Sequence, residues 1–357
     1  MREAIYRKLA QRLDAIPNGF PATESGVELR LLAWMYTRQE AELAAVMRVQ
    51  REPADDIAER AGVAPAIAYR LLEHMADKGL VSASGSGRRG MYGLCPFTVG
   101  AYEAQLDRMD AELAELYEQY SQETRGGLMH DAPPLHRVIP VGEAISHELE
   151  VYPYEQASVL VERAKAWAVR DCICRVQQRL IGKGCGRAIE TCLVFAAVPD
   201  AFHRNRKVRA ISKEEALWIL RRAQEAGLVH TLGNYRHGNS YICNCCTCCC
   251  RTLRSLTEFA QPAAVARSRF CAVPTPDLCT GCGNCLDRCP FAALSLTGET
   301  LSVDRSRCLG CGLCVTACPA GALRLEPRPK GEISLPPMNS EEWRNQRVRA
   351  RRRSRVG

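Results

Sequence analysis

The sequences CTGCGNCLDRCP at residues 279–290 and CLGCGLCVTACP at residues 308–319 are two copies of one cysteine pattern. In each copy the cysteines have the spacing C-x2-C-x2-C-x3-C and a proline follows the last cysteine. FAALSL comes after the first copy and AGALRL after the second, and GETLSVD at residues 298–304 predicts a hairpin between them. This internal repeat predicts two similar halves related by a pseudo-twofold axis.

The pattern resembles that of the bacterial two-cluster ferredoxins, and the resemblance extends from about residue 274 to residue 327. It implies two [4Fe-4S] clusters, each held by three cysteines of one copy and the last cysteine of the other. The implied ligands are Cys279, Cys282, Cys285 and Cys318 for one cluster and Cys308, Cys311, Cys314 and Cys289 for the other. Paired zinc ribbons or disulfides are the alternative, but zinc sites seldom use two four-cysteine runs with a proline after each.

Ten further cysteines lie between residues 126 and 270, and six of them stand within eight positions in CNCCTCCC at residues 243–250. Thiolates at this density repel one another unless a metal neutralises them or they stay protonated, so the sequence predicts a bound metal. We favour an additional iron–sulfur cluster, with a zinc site or dithiol redox chemistry as alternatives. The candidate ligands, of which the sequence does not select a subset, are Cys172, Cys174, Cys185, Cys192, Cys243, Cys245, Cys246, Cys248, Cys249 and Cys250.

The order of the predicted helices and strands in the N-terminal region resembles that of a winged helix. Thr37 and Glu40 predict a capping box for a helix reaching Met47, a second helix starts at Pro53, and a third runs over residues 64–78. The glycine-rich stretch that follows predicts a two-stranded wing, and the residues near its tip are Arg88 and Arg89.

The third helix of this region has few side chains suited to base edges and phosphates, since Tyr69, Arg70 and His74 stand among acidic residues. We therefore expect this domain to serve protein contacts or dimerisation in preference to DNA binding. An amphipathic helix is predicted over residues 102–120, followed by a linker at 121–134. In the middle region, helices are predicted over residues 154–167 and from Ser212 onward.

The net charge of +8 is unevenly placed, because the last seventeen residues have seven arginines and two glutamates. This basic tail can contact nucleic acid, anionic lipid or an acidic partner, or it can be a solvated, disordered end. Twenty cysteines without an apolar export signal at the N-terminus indicate thiolate ligands in a reducing compartment, so we expect a cytoplasmic location. Apolar runs such as residues 192–198 are too short to span a membrane. Cys95 and Cys271 stand apart and are expected to be small buried side chains.

The predicted fold is a multidomain α+β protein. Its parts are a winged-helix-like domain with the following amphipathic helix at 1–125, a cysteine-rich middle region at 126–270, the ferredoxin domain at 271–328 and a basic tail at 329–357. Together with DCICR at residues 171–175 and the 243–250 run, these parts resemble a group of little-characterised 4Fe-4S ferredoxin-like proteins of prokaryotes.

The resemblance implies iron–sulfur binding and electron transfer, and it supplies no substrate. We predict a protein that carries two [4Fe-4S] clusters and an additional cluster and exchanges electrons with a partner redox enzyme. One alternative is a winged-helix transcription regulator switched by its cluster, and another is an oxidoreductase with its chemistry at the middle cysteines. The sequence has no acid, base or nucleophile constellation that indicates a hydrolase or transferase.

Overall fold

The computed structural model describes residues 2–126, 131–145, 153–203 and 205–354. The chain divides into two compact units. The first consists of Met1–Leu128, Val176–Lys183 and Arg347–Gly357, and the second of Met129–Arg175 and Gly184–Gln346. The predicted boundary between residues 270 and 271 therefore falls inside a single compact unit.

The first unit combines helices with a small antiparallel sheet. Its helices are α1 (Arg2–Asp14), α2 (Val27–Met35), α3 (Arg38–Ala44), α4 (Ala54–Ala61), α5 (Pro65–Asp77) and α6 (Ala111–Glu123). Its strands are β1 (Glu52–Pro53), β2 (Val81–Ser84) and β3 (Met91–Leu94), in the order β1-β3-β2.

Local sequence signals fix the ends of these helices. The predicted capping box of α3 is confirmed, because the Thr37 side chain accepts a hydrogen bond from the Glu40 backbone N–H and the Glu40 carboxylate accepts one from the Thr37 N–H. α4 ends at Gly62, whose φ of 67° is in the left-handed region that favours glycine. The exposed turn between β2 and β3 contains Arg89, while the Arg88 side chain lies outside the described part of the structure.

The continuous helix predicted over residues 102–120 is wrong. The chain forms a short 3-10 helix at Glu103–Arg108, and α6 starts only at Ala111 because the Asp110 side chain accepts a hydrogen bond from the Leu113 N–H at 2.8 Å. α6 also runs three residues into the predicted linker, of which residues 127–130 lie outside the described part.

A buried ion pair joins α3 to α5 in the first unit. Glu40 is fully buried, and its carboxylate lies 2.7 Å from the Lys78 Nζ and 2.8 Å from the His74 Nδ1. Burial raises the pKa of Glu40, but hydrogen bonds from Lys78 and from the Thr37 backbone outweigh it and leave the pKa below its ordinary value. The same carboxylate therefore caps α3 and binds two basic side chains at the C-terminal end of α5.

The second unit is built on a seven-stranded mixed sheet with the order β10-β4-β8-β9-β6-β5-β7, in which β10 and β4 are parallel. The strands are β4 (His136–Val138), β5 (Ala166–Asp171), β6 (Glu190–Ala196), β7 (Arg209–Ile211), β8 (Val229–Gly233), β9 (Tyr241–Cys245) and β10 (Val265–Ala266). The helices among them are α7 (Ala157–Arg163), α8 (Ile173–Leu180), α9 (Lys213–Glu225) and α10 (Arg251–Thr257). Residues of α8 from Val176 onward belong to the first unit.

The helix predicted over residues 154–167 is correct only for α7. Ala164 has extended backbone angles and ends it, and Trp167 lies in β5, where it pairs with Phe195 of β6 and Ile211 of β7. Because β5 forms a sheet with one strand on each side, this strand pairing outweighs the helical sequence pattern at Trp167. The helix predicted from Ser212 is confirmed as α9, with the Ser212 hydroxyl accepting from the Glu215 N–H.

Two smaller antiparallel sheets complete the second unit. Their strands are β11 (Phe270–Pro274), β12 (Leu294–Thr297), β13 (Thr300–Val303) and β14 (Leu323–Pro327), with β11 paired to β14 and the predicted hairpin formed by β12 and β13. Short helices α11 (Asn284–Arg288) and α12 (Leu313–Thr316) lie between these strands. Val138 and Val141 share one hydrophobic core with Phe270, Leu309 and Leu325. The ferredoxin-like segment therefore packs on the same core as part of the large sheet.

The basic tail is helical where the structure describes it, so the expectation of a disordered end is wrong for residues 340–354. They form α13 (Ser340–Ser354), and the residues from Arg347 onward belong to the first unit. Arg347 is fully buried and donates to the Pro17 carbonyl at 2.8 Å, and Arg351 lies 2.7 Å from the Asp14 carboxylate. Two of the tail arginines thus have structural partners.

Within the described ranges, we find no helix that has both the length and the apolar character required to cross a bilayer.

Replacing Glu40 with alanine should destabilise the first unit by about 3 to 5 kcal/mol, because it leaves Lys78 buried without its carboxylate and removes a helix cap. Glu42→Ala on the same helix is the matched control. Its carboxylate forms an exposed pair with Arg38, which contributes about 0.5 kcal/mol or less. Urea unfolding followed by circular dichroism measures both, and equal midpoints for the two variants would contradict the role of Glu40.

Candidate metal centres

Two cavities of the second unit are lined by cysteines of the repeated pattern. They are similar in volume, about 20 Å³ each. The first is lined by Cys279, Cys282, Cys285 and Cys318, and the second by Cys289, Cys308, Cys311 and Cys314. Each cavity thus has three cysteines from one copy and the last cysteine from the other. A four-thiol lining fits the ligand requirement of a cubane iron–sulfur cluster.

The backbone around these cavities repeats the pseudo-twofold symmetry of the sequence. The Sγ of Cys289 accepts a hydrogen bond from the Ala293 N–H at 3.4 Å, and the Sγ of Cys318 accepts one from the Ala322 N–H at 3.2 Å. A Cβ on Gly310 would stand 2.1 Å from the Phe270 carbonyl oxygen, so only glycine lets this loop approach β11. The loops are therefore shaped by backbone contacts that hold the sulfurs in place.

Hydrogen bonding and burial shift the pKa values of the thiols in the second cavity in opposite directions. A hydrogen bond from the Cys271 thiol lowers the pKa of Cys308 to about 6. Burial raises the pKa of Cys311 to about 12 and also raises that of Cys314. Because cluster ligands must be thiolates, binding at this cavity releases protons from the deeply buried thiols.

Cys271 was expected only to be a small buried side chain. It is 1% exposed in β11, as expected, and its thiol also donates to a cysteine that lines the second cavity. The sequence has no signal for this contact, because it depends on the packing of β11 against the loop that begins at Cys308.

The ten cysteines of the middle region form two groups. In the first, which we call the four-thiol group, the Sγ atoms of Cys185, Cys246, Cys248 and Cys249 all lie within 4.8 Å of one another. Cys185 is 4.0 Å from Cys246 and 3.7 Å from Cys249, and Cys249 is 3.8 Å from Cys248. A hydrogen bond from Cys249 lowers the pKa of Cys246 to about 4, and burial raises that of Cys248 to about 11.

The other six cysteines form what we call the six-thiol group. Each of these thiols shifts the pKa of two others, which links them in a closed ring with the order Cys172, Cys174, Cys250, Cys245, Cys243 and Cys192. Sheet register explains part of the ring, since Leu193 pairs with Ile242 and Cys192 therefore stands beside Cys243 across β6 and β9. Cys243 and Cys245 then share one face of β9 because side chains alternate along a strand.

The six-thiol group has one thiol that ionises far more readily than the others. Hydrogen bonds from Cys174 and Cys192 hold the pKa of Cys172 well below its ordinary value, with Arg175 adding to the effect. Hydrogen bonding to a neighbouring thiol raises the pKa of Cys174, of Cys192 and of Cys243. Without a metal, repulsion between neighbouring negative charges opposes the ionisation of several of these thiols together.

Arg175 contacts the four-thiol group and is electrostatically coupled to the six-thiol group. It is fully buried, donates to the Asn244 carbonyl at 3.0 Å and to the Thr191 hydroxyl, and lies 3.9 Å from the Cys246 Sγ. Burial lowers the pKa of Arg175, but charge interactions with Cys172, Cys192 and Cys246 outweigh burial and raise it above its ordinary value. This guanidinium is a buried positive charge placed against the densest thiols of the chain.

Comparison with known proteins identifies part of this site. The family model of the 4Fe-4S dicluster domain matches residues 278–322. The chain is also similar to a probable ferredoxin of Methanosarcina thermophila, at 58% identity over 31 residues, which are 8% of this chain and 53% of the relative. The chain thus spans about half the length of the curated relative it matches, and no solved structure matches it. Residues 278–322 are a 4Fe-4S ferredoxin module within an α+β chain.

Proposed function

We propose that this protein transfers single electrons between a donor and a redox partner protein through two [4Fe-4S] clusters and an additional cluster in the middle region. The observation that carries the proposal is the lining of the two module cavities. Each has four cysteine thiols, and each draws three from one copy of the pattern and one from the other. Bound clusters of this type supply reversible one-electron chemistry.

The proposed ligands are the cysteines that line each cavity. One cluster is assigned to Cys279, Cys282, Cys285 and Cys318, and the other to Cys308, Cys311, Cys314 and Cys289. The protein around them holds the sulfurs and limits the access of water. Its amides at Ala293 and Ala322 donate to the two cysteines that cross between copies, which stabilises negative charge on those sulfurs.

The two module sites differ in their exposure to solvent. Cys282 is exposed, while Cys308, Cys311 and Cys314 are buried. Leu278, beside the first site, is a half-exposed large apolar side chain. We therefore place electron exchange with the partner protein at the Cys282 side, where a docking protein comes nearest to a cluster ligand.

The additional cluster is assigned to the six-thiol group. Its thiols outnumber the four ligands of a cubane cluster, and they lie around β5, β6 and β9 in the interior of the second unit. Six neighbouring thiols, all of them buried or partly buried, cannot ionise together unless a metal cluster neutralises them. The group therefore has enough thiol ligands for a metal–thiolate centre, and a metal would neutralise the charge of those ligands.

We also propose that residues 37–94, which contain α3 to α5 and the β2–β3 hairpin, form a winged helix used for protein contacts. The basic side chains of α5 are Arg70 and His74, and His74 is paired with Glu40. Glu73 accepts hydrogen bonds from Tyr92 and from the Gly87 backbone of the wing. This surface has few free donors for phosphates or base edges, which weighs against the regulator alternative.

An oxidoreductase with chemistry at the middle cysteines would need a substrate cavity that reaches them. A cavity of about 530 Å³ in the second unit is lined by Arg137, Glu155, Arg267 and Arg269 among others, and its described lining has no cysteine. This arrangement favours a carrier over an enzyme with a middle-region active site.

Anaerobically purified protein should contain about twelve iron and twelve acid-labile sulfide per chain. Cys282→Ala and Cys311→Ala should each lose about four of both, because each removes one ligand from a different cluster, and both should lower thermal stability. Iron and sulfide assays measure the loss. About eight of each in the parent protein would remove the additional cluster from the proposal, and full iron in either variant would contradict the ligand assignment.

Cys271→Ala should lower the reduction potential of one module cluster by about 40 mV, since a donor worth about 1 kcal/mol to the reduced state is lost. Cys271→Ser keeps a donor and is the matched control, with a potential near that of the parent. Redox titration followed by electron paramagnetic resonance gives the values. Identical potentials in all three proteins would show that the Cys271 thiol does not act on the cluster.

Gel-shift assays at low salt, with oxidised and with reduced protein, should show no binding to duplex DNA taken from upstream of the protein's own coding sequence. Binding that changed with redox state and was lost in Arg70→Ala would instead support the regulator alternative. A winged-helix protein with known DNA binding serves as the positive control in the same buffer.

A further inference from the structure

The four-thiol group is separate from the other thiols of the middle region in position and in spacing. Cys185 follows α8 in a loop, and Cys246, Cys248 and Cys249 lie in the turn between β9 and α10. Cys245, the last residue of β9, and Cys250, just before α10, belong to the six-thiol ring. Neighbouring cysteines of this stretch therefore belong to two different sites.

The distances within this group match the coordination of a single ion. Zn²⁺ bound by four thiolates at about 2.3 Å in a tetrahedron places the sulfurs about 3.8 Å apart. Three of the sulfur–sulfur distances in the group are 3.7 Å, 3.8 Å and 4.0 Å, and all of them are within 4.8 Å. The thiols thus already surround a volume of the size that one tetrahedral ion requires.

A cubane cluster needs a wider arrangement, because its four cysteines bind four different irons. The ferredoxin module provides the comparison within the same chain. In the four-thiol group, all four potential ligand atoms lie within 4.8 Å of one another. Among the described residues, the module cysteines include no three whose sulfurs are all this close. The tight spacing therefore distinguishes this group from the module sites.

We propose that Cys185, Cys246, Cys248 and Cys249 bind one structural Zn²⁺ ion, at a site distinct from every iron–sulfur cluster of the protein. Tetrahedral coordination by four sulfurs is typical of zinc, and a closed four-ligand shell is typical of structural rather than catalytic sites. The proposal concerns the fold of the middle region and stands independently of electron transfer.

Charge supports this assignment. Four thiolates and one Zn²⁺ carry a net charge of −2, and two guanidinium groups contact the site. Arg175 lies 3.9 Å from the Cys246 Sγ and Arg187 lies 3.7 Å from the Cys248 Sγ. The two arginines neutralise the excess charge of the site and can donate hydrogen bonds to its sulfurs.

The local packing shows why an ion is needed here. The hydrophobic cluster at this position contains Ala223, Leu228, Cys246 and Cys249 as its buried members, with Cys174 and Cys185 packed against it. So few apolar side chains bury little surface, and two of the four buried members are proposed zinc ligands. An ion that ties the Cys185 loop to the turn after β9 replaces the missing core.

The test uses the full-length protein, purified without oxygen, with zinc, iron and sulfide measured in each sample. We expect about one zinc per chain in the parent and, from X-ray absorption at the zinc edge, four sulfur neighbours at about 2.3 Å. That measurement needs no variant, so a folding defect cannot obscure it. A parent protein without zinc, or zinc with nitrogen or oxygen neighbours, would overturn the proposal.

Two variants with one cysteine replaced should give opposite results for zinc and for iron. Cys248→Ala, at the exposed member of the group, should lose zinc to a chelator that the parent withstands and keep its iron and sulfide. Cys282→Ala, at the exposed cysteine of the module, should keep its zinc and lose iron and sulfide. Loss of iron from Cys248→Ala would mean that the four thiols hold an iron centre, and zinc retained as firmly as in the parent would place the ion elsewhere. Either result would refute the assignment.

Discussion

Repulsion between crowded thiolates is the constraint on which the second unit depends. Its principal hydrophobic core contains Cys245, Cys250, Cys285, Cys311 and other cysteines that line the candidate centres. Burial raises the pKa of Cys285 and of Cys311, and hydrogen bonding to a neighbouring thiol raises that of Cys245 and of Cys250, so the surroundings of these thiols oppose their ionisation. Metal binding converts the same positions into thiolates with compensated charge. Packing and cofactor binding are therefore two aspects of one process in this unit.

The ferredoxin module is integrated into the unit rather than attached to it. Val141 of the chain segment after β4 donates its N–H to the Cys311 carbonyl at 3.0 Å, and Ser268 donates to the Gly310 carbonyl at 2.8 Å. Phe270 and Leu309 belong to a core that also contains Val138 of the large sheet. The loop that lines the second cavity is thus held by elements outside the repeated pattern, in keeping with the burial of Cys308, Cys311 and Cys314.

Local signals in the sequence predicted local structure well. The cysteine spacing of the module, the capping box at Thr37 and the hairpin between the two copies all depend on residues within a few positions of one another. The sequence could not predict how the middle cysteines divide, because Cys192 and Cys243 meet only through the register of β6 and β9. The break at Asp110 was missed because a single capping side chain outweighed a helical pattern on both sides.

The spacing of the cysteines between β9 and α10 restricts how this part of the sequence can change during evolution. Within residues 245–250 the first and last cysteines belong to the ring and the three between them belong to the four-thiol group, so their order along the chain encodes two centres at once. A substitution there would damage one centre, whereas the insertion or deletion of a single residue would misdirect the cysteines of both. We expect the length of this turn to be under stronger selection than the identity of any one residue in it, and chains that diverge elsewhere should keep it free of gaps.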